Sequence, residues 1–89
     1  MPVISTFYGI LILMYCFDEG QHRKPHIHAR YQNFEASFAI LDGECLAGTM
    51  PPNKMHHIRR WIDMHREELL INWALAVEGE LPRRIKPLK

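Results

Sequence analysis

The sequence predicts an α+β fold: a small, mainly antiparallel sheet of four or five strands over residues 3–50, covered by a C-terminal helix or bent helix pair over residues 53–78. Three observations predict it. Residues 26–40 alternate apolar and polar side chains with period two. Residues 10–17 form a nearly continuous apolar run of strand length. From Asn53 onward the apolar period switches to three or four residues, the helical repeat.

Taken in order, Val3 to Phe7 is β-branched and aromatic, broken by Ser5, and Gly9 marks a bend or bulge. Ile10 to Phe17 reads as a strand buried on both faces or nearly so. The stretch from Asp18 to Pro25 is a polar loop with an extended exit, because Pro25 disfavours helix before it. A two-residue turn at Gln32-Asn33, with Asn33 tolerating positive φ, pairs Tyr31 with Phe34, Arg30 with Glu35, Ala29 with Ala36, His28 with Ser37, Ile27 with Phe38 and His26 with Ala39. That register sorts the side chains cleanly. Ile27, Ala29, Tyr31, Phe34, Ala36 and Phe38 take one face; His26, His28, Arg30, Glu35 and Ser37 take the other. Asp42-Gly43 is a second turn, and Glu44 to Met50 a short last strand ended by Gly48 and Pro51-Pro52. Asn53 is the expected N-cap of a stripe through Met55, Ile58, Ile62, His65, Leu69, Trp73 and Val77. An unbroken helix of that length, about 39 Å, is long for so small a domain, so a bend or split near residues 64–67 is preferred. Gly79 suits the position after the last turn, and residues 78–89 form a basic, irregular tail of a single domain 1–89.

The chain has 89 residues, 47% hydrophobic and 24% charged, with a formal net charge of +1. This excludes disorder and a nucleic-acid binder that works by overall charge, and leaves a local basic patch open. The two cysteines, Cys16 and Cys45, are too few for a secreted disulfide framework and read as reduced thiols of a cytoplasmic protein. No signal peptide fits the N-terminus, and the apolar run at residues 10–14 is too short to span a bilayer, which takes about 20 residues.

Four ordered segments carry a family resemblance. They are Pro2 to Ile10, then His22-Arg23-Lys24-Pro25-His26-Ile27-His28-Ala29-Arg30-Tyr31, then Asp42-Gly43-Glu44, and His65-Arg66-Glu67-Glu68-Leu69-Leu70-Ile71-Asn72-Trp73. Across essentially its whole length the chain resembles the small prokaryotic domain-of-unknown-function family 4160. It departs from many relatives at Lys24, where they have a second proline; the loop is thereby less rigid and more basic. The resemblance implies a bacterial or archaeal cytoplasmic protein. It also implies a protein partner, because relatives are often encoded beside another small protein, an arrangement reminiscent of toxin–antitoxin pairs.

The candidate site is the polar face of the hairpin. His26 and His28 project from it about 6.5–7 Å apart, and His22 lies four residues earlier in the loop. Four readings stay open. His22, His26 and His28 hold a divalent metal, zinc or manganese. His26, His28, Arg30 and Glu35 do acid–base work on a phosphodiester. Arg23, Lys24 and Arg30 bind a phosphate or other anion without turnover. Or the face is solvated, with His28 bonded to Ser37. His65 is expected to be a packed histidine, and His56 and His57 a poor ligand pair, while Trp61 and Trp73 anchor the core. Arg59, Arg60 and Arg66 with the tail arginines are candidates for a basic surface, and Arg23, Lys24 and Arg30 with Arg83, Arg84, Lys86 and Lys89 supply seven positive charges for one side; such a patch is either phosphate-contacting or solubilising. No glycine-rich phosphate loop, CxxC or dinucleotide fingerprint is present, so kinase and oxidoreductase chemistry have no support. Two function classes follow: a protein-binding module of a toxin–antitoxin-like pair, with a second protein or a second copy as partner; or a small nuclease-like, phosphate- or metal-binding protein.

Overall fold

The computed structural model describes residues 3–15 and 24–88. Five strands, β1 (Val3–Phe7), β2 (Ile10–Leu13), β3 (His26–Tyr31), β4 (Phe34–Ala39) and β5 (Cys45–Gly48), precede two helices, α1 (Pro52–Met64) and α2 (Arg66–Val77). The sheet is an antiparallel meander in the order β1-β2-β3-β4-β5, the α+β fold that the alternation predicts.

The β3–β4 register is the one the face-sorting requires, at all six pairs from Tyr31–Phe34 to His26–Ala39. The positive φ of its turn falls on Gln32 (φ 52), not on Asn33. At the β1–β2 hairpin Tyr8 (φ 51) and Gly9 (φ 77) are both left-handed, the conformation of a type I′ turn. Gly9 is thus a turn residue, and the bulge lies earlier, between Val3 and Ser5. The apolar run supplies only four strand residues, with Leu11 40% exposed; Cys16 and Phe17 lie outside the described residues. Gly48 (φ 82) lies so close to β4 that a Cβ there would run into the Glu35 carbonyl.

The helices cover the face that carries Ile12, Ile27, Ala29, Ala36 and Phe38, burying Ile58, Trp61, Ile62, Leu69 and Ala76 against it. Phe34 escapes this core at the hairpin end and stays 38% exposed. The first helix begins one residue before Asn53, with Pro51 as N-cap and Pro52 at the first position, where the missing N–H is no loss. The split falls at His65 (φ −122), inside the expected interval. Arg66 then donates from Nε to the Ile40 carbonyl at 2.9 Å and pairs with Asp63. At the other end, Glu80 N–H donates to the Leu75 carbonyl and Gly79 N–H to that of Ala76, a Schellman stop around Gly79 (φ 82).

The basic tail is docked. Ile85 and Leu88 are buried in the core, Ile85 N–H donates to the Ile4 carbonyl at 2.8 Å, and Trp61 Nε1–H donates to the Lys86 carbonyl at 2.8 Å. The tail therefore covers the outer edge of β1 at Ile4.

Candidate functional site

The hairpin's polar face is not a solvated surface at its His26 end. His26 is 0% exposed, His28 9% and Ser37 3%. Strand alternation puts His26 and His28 on one side, and the sheet register adds Leu13 and Ser37 as the cross-strand neighbours of His28. The two imidazole rings lie 5.1 Å apart at 72°.

Each ring has its own support. His26 Nδ1 lies 2.7 Å from the Lys24 carbonyl oxygen. A carbonyl only accepts, so Nδ1 carries the proton and donates it, leaving Nε2 as the basic nitrogen of the neutral ring. The indole of Trp73 on α2 lies 4.9 Å from the same ring. His28 is stacked on Tyr15, with centroids 4.2 Å apart and planes within 5°. Farther along the face Arg30 and Glu35 sit opposite one another, 3.6 Å apart and well exposed, so each charge is answered by the other. Such an exposed pair adds little to stability, about 0–1 kcal/mol.

The sequence-predicted residues therefore divide. His26 and His28 come together, buried. Arg30 and Glu35 come together, exposed. Lys24 is exposed and holds His26 through its backbone carbonyl, not its ammonium. His22 and Arg23 lie outside the described residues. Among the described residues no three His, Cys, Asp or Glu side chains are grouped to hold a metal ion.

Several of the remaining cations are engaged with the fold. Arg59 donates to the Gly43 carbonyl at 3.1 Å, Arg66 to that of Ile40, and Arg84 to that of Val3 at 3.4 Å. His65 is half-buried at the helix junction and donates from Nδ1 to Glu68 Oε1 at 2.7 Å, the packed and partnered histidine expected there. Two contributors escaped the sequence reading. Tyr15 was within reach of it, since it continues the alternation of Leu13, the partner of His28. Trp73 was not, because its position over His26 depends on how α2 crosses the sheet.

Among the described residues no helix is long and apolar enough to cross a membrane. A protein-family model described as a domain of unknown function, DUF4160, matches residues 9–74. No curated protein and no solved structure matches the chain.

Proposed function

Since the chain belongs to the DUF4160 family, whose description assigns no reaction, we propose from its geometry that it is a protein-binding module of a two-protein, toxin–antitoxin-like pair, engaged through the outer face of α2. One observation carries this reading: beyond its charged first turn, α2 is apolar on every side over residues 69–77 except at the buried Asn72. It buries Leu69, Asn72 and Ala76, yet presents Ile71 (60% exposed) and Val77 (55%) outward around the exposed Ala74, with Leu81 (80%) just beyond. A helix with apolar residues on every side normally has both faces covered.

The partner that fits is the amphipathic helix of a different protein, with Lys or Arg at the ends of its apolar stripe. Ala74 at the centre of the patch permits close helix approach. From Glu67 to Leu81 the chain carries Glu67, Glu68, Glu78 and Glu80 and no Lys or Arg. A second copy would bring these acids against their own kind, whereas a basic partner is attracted. Arg83 and Arg84 lie along one flank beside Ile71, with Arg84 engaged with Val3, and Arg66 at the start of α2 is held by the Ile40 carbonyl and Asp63.

Co-expression with each small protein encoded by a flanking gene, followed by light scattering on the purified species, tests the reading. A one-to-one heterocomplex is expected, lost in Ile71→Glu/Val77→Glu at unchanged melting temperature. A self-dimer sensitive to that pair, or a complex indifferent to it, overturns the proposal.

A second reading is favoured by the Nδ1–H bond of His26, the kind of backbone bond by which a ligating histidine is oriented. On it His22, His26 and His28 hold zinc or manganese, beside Arg23, Lys24, Arg30 and Glu35 as phosphate-binding or acid–base groups of a nuclease-like site. Stoichiometric metal in untagged protein supports it. Metal-free protein that gains no thermal stability on adding either ion rejects it.

A further inference from the structure

The β1–β2 turn carries a side chain its backbone does not favour. Tyr8 holds φ 51 in a position that suits Asn or Gly, and a bulky residue there is a conformational outlier. Burial does not compensate, because Tyr8 is 46% exposed. Its ring rests on the His57 ring at 4.7 Å and 37°. Lys54 holds the arrangement in place: Nζ donates to the Tyr8 carbonyl at 3.3 Å and lies 4.8 Å from the centre of the Tyr31 ring. Two tyrosines, an imidazole and an ammonium thus meet at one end of the sheet.

Cations continue from there. Lys54 and Arg60, with the imidazole of His57 between them, recur at three-residue steps along one flank of α1, spanning about 9 Å. Arg60 opens onto a cleft of about 500 Å³ that it lines with Met64, His65 and Lys86. No Asp or Glu occurs between Pro52 and Ile62, and none lines the cleft. Tyr8, Lys54 and Lys86 play no part in the polar-face cluster or the α2 patch.

We propose that this end of the sheet, with the adjoining α1 flank and cleft, binds a short single strand of nucleic acid: a base stacks on Tyr8, and phosphates lie along Lys54, Arg60 and Lys86. Exposed aromatic faces accept any base, and a row of cations without acids follows a phosphate backbone. The cleft is also lined by the apolar Pro87 and Leu88; what favours nucleic acid over a protein ligand is the pairing of an exposed aromatic face with cations that have no acid among them. RNA and DNA share the recognised chemistry. The site is independent of the α2 face.

Fluorescence anisotropy of labelled oligouridylate and oligothymidylate at low salt tests it with the full chain. The decisive variant is Tyr8→Asn, which makes the turn Asn-Gly and is expected to leave the melting temperature unchanged or raised. It is expected to weaken binding roughly tenfold, the loss of one stacked base. Arg60→Gln/Lys86→Gln is expected to flatten the log-affinity against log-salt slope by about 1.4, two phosphate contacts on a single strand. Ile71→Glu/Val77→Glu is expected to bind as wild type. A tighter complex with one oligomer assigns RNA or DNA as the ligand. Failure of both to bind, undiminished binding by Tyr8→Asn, or equal affinity for polyphosphate, which has no bases, overturns the proposal.

Discussion

The buried side chain of Asn72 grips both backbone polar groups of Arg83: Nδ2–H donates to the carbonyl at 2.7 Å, and Oδ1 accepts the N–H at 3.0 Å. An isosteric amide is needed for both bonds at once. Asn72→Ala is expected to cost about 2–3 kcal/mol and Asn72→Asp a comparable amount, since the carboxylate keeps the acceptor but loses the donor to the Arg83 carbonyl. Urea unfolding measures the loss, and amide exchange at Ile85 reports release of the tail. A variant with wild-type stability and a protected Ile85 amide contradicts the anchoring role.

Gly48 and Gly79 share φ 82 but differ in their surroundings. Gly79→Ala meets nothing within 4 Å and is expected to cost about 1 kcal/mol, the left-handed strain alone. Gly48→Ala adds a collision with the Glu35 carbonyl and Ala36 Cα and is expected to cost clearly more, about 3 kcal/mol or above. Equal melting temperatures for the two variants would contradict the close β4–β5 approach.

His26→Ala removes a fully buried ring beside Trp73 and is expected to destabilise the chain by about 2–4 kcal/mol, with a red-shifted indole emission. Arg30→Gln at the exposed pair is expected to change stability by less than about 1 kcal/mol. Loss of function in His26→Ala is therefore informative only at matched folded fraction, whereas loss in Arg30→Gln speaks directly to chemistry. Thermal melts of the two variants side by side decide it, and an unchanged midpoint for His26→Ala refutes its place in the fold.

Ser5 Oγ is buried and has no hydrogen-bond partner among the described residues. Ser5→Ala removes the unsatisfied hydroxyl without opening a sizeable cavity and is expected to be neutral or stabilising, by about 1 kcal/mol. A loss above about 1 kcal/mol in urea unfolding would show that the hydroxyl has a partner after all.

The hairpin was legible because side-chain alternation has a period of two: only one register puts Ile27, Ala29, Ala36 and Phe38 together, and a slip by one residue scatters them. The helix pair was legible from period and length. The break at His65 had no glycine or proline to announce it, and only the implausible length of one helix pointed to the interval. The buried state of His26 was hidden. Alternation says which side of a sheet a residue takes but not what covers that side, and here the coverage includes Tyr15 on His28 and Trp73 at His26. The docked tail was hidden too. Ile85 and Leu88 stand among prolines and cations without periodicity, and their partners, Ile4 and Trp61, lie far away in the sequence. The strain at Tyr8 is hidden too, because a lone turn tyrosine in a sequence gives no sign of its backbone angle.

The bond between Ile85 and Ile4 has a kinetic consequence. Every strand pairing in the meander joins neighbours along the chain, and such short closures form early and quickly. Bringing residue 85 to residue 4 closes a loop of about 80 residues, the longest closed by a backbone hydrogen bond among the described residues and so the one with the largest closure entropy. The sheet is thus expected to assemble first and its β1 border last, so that the rate at which the finished molecule appears is set by the tail rather than by the strands it protects.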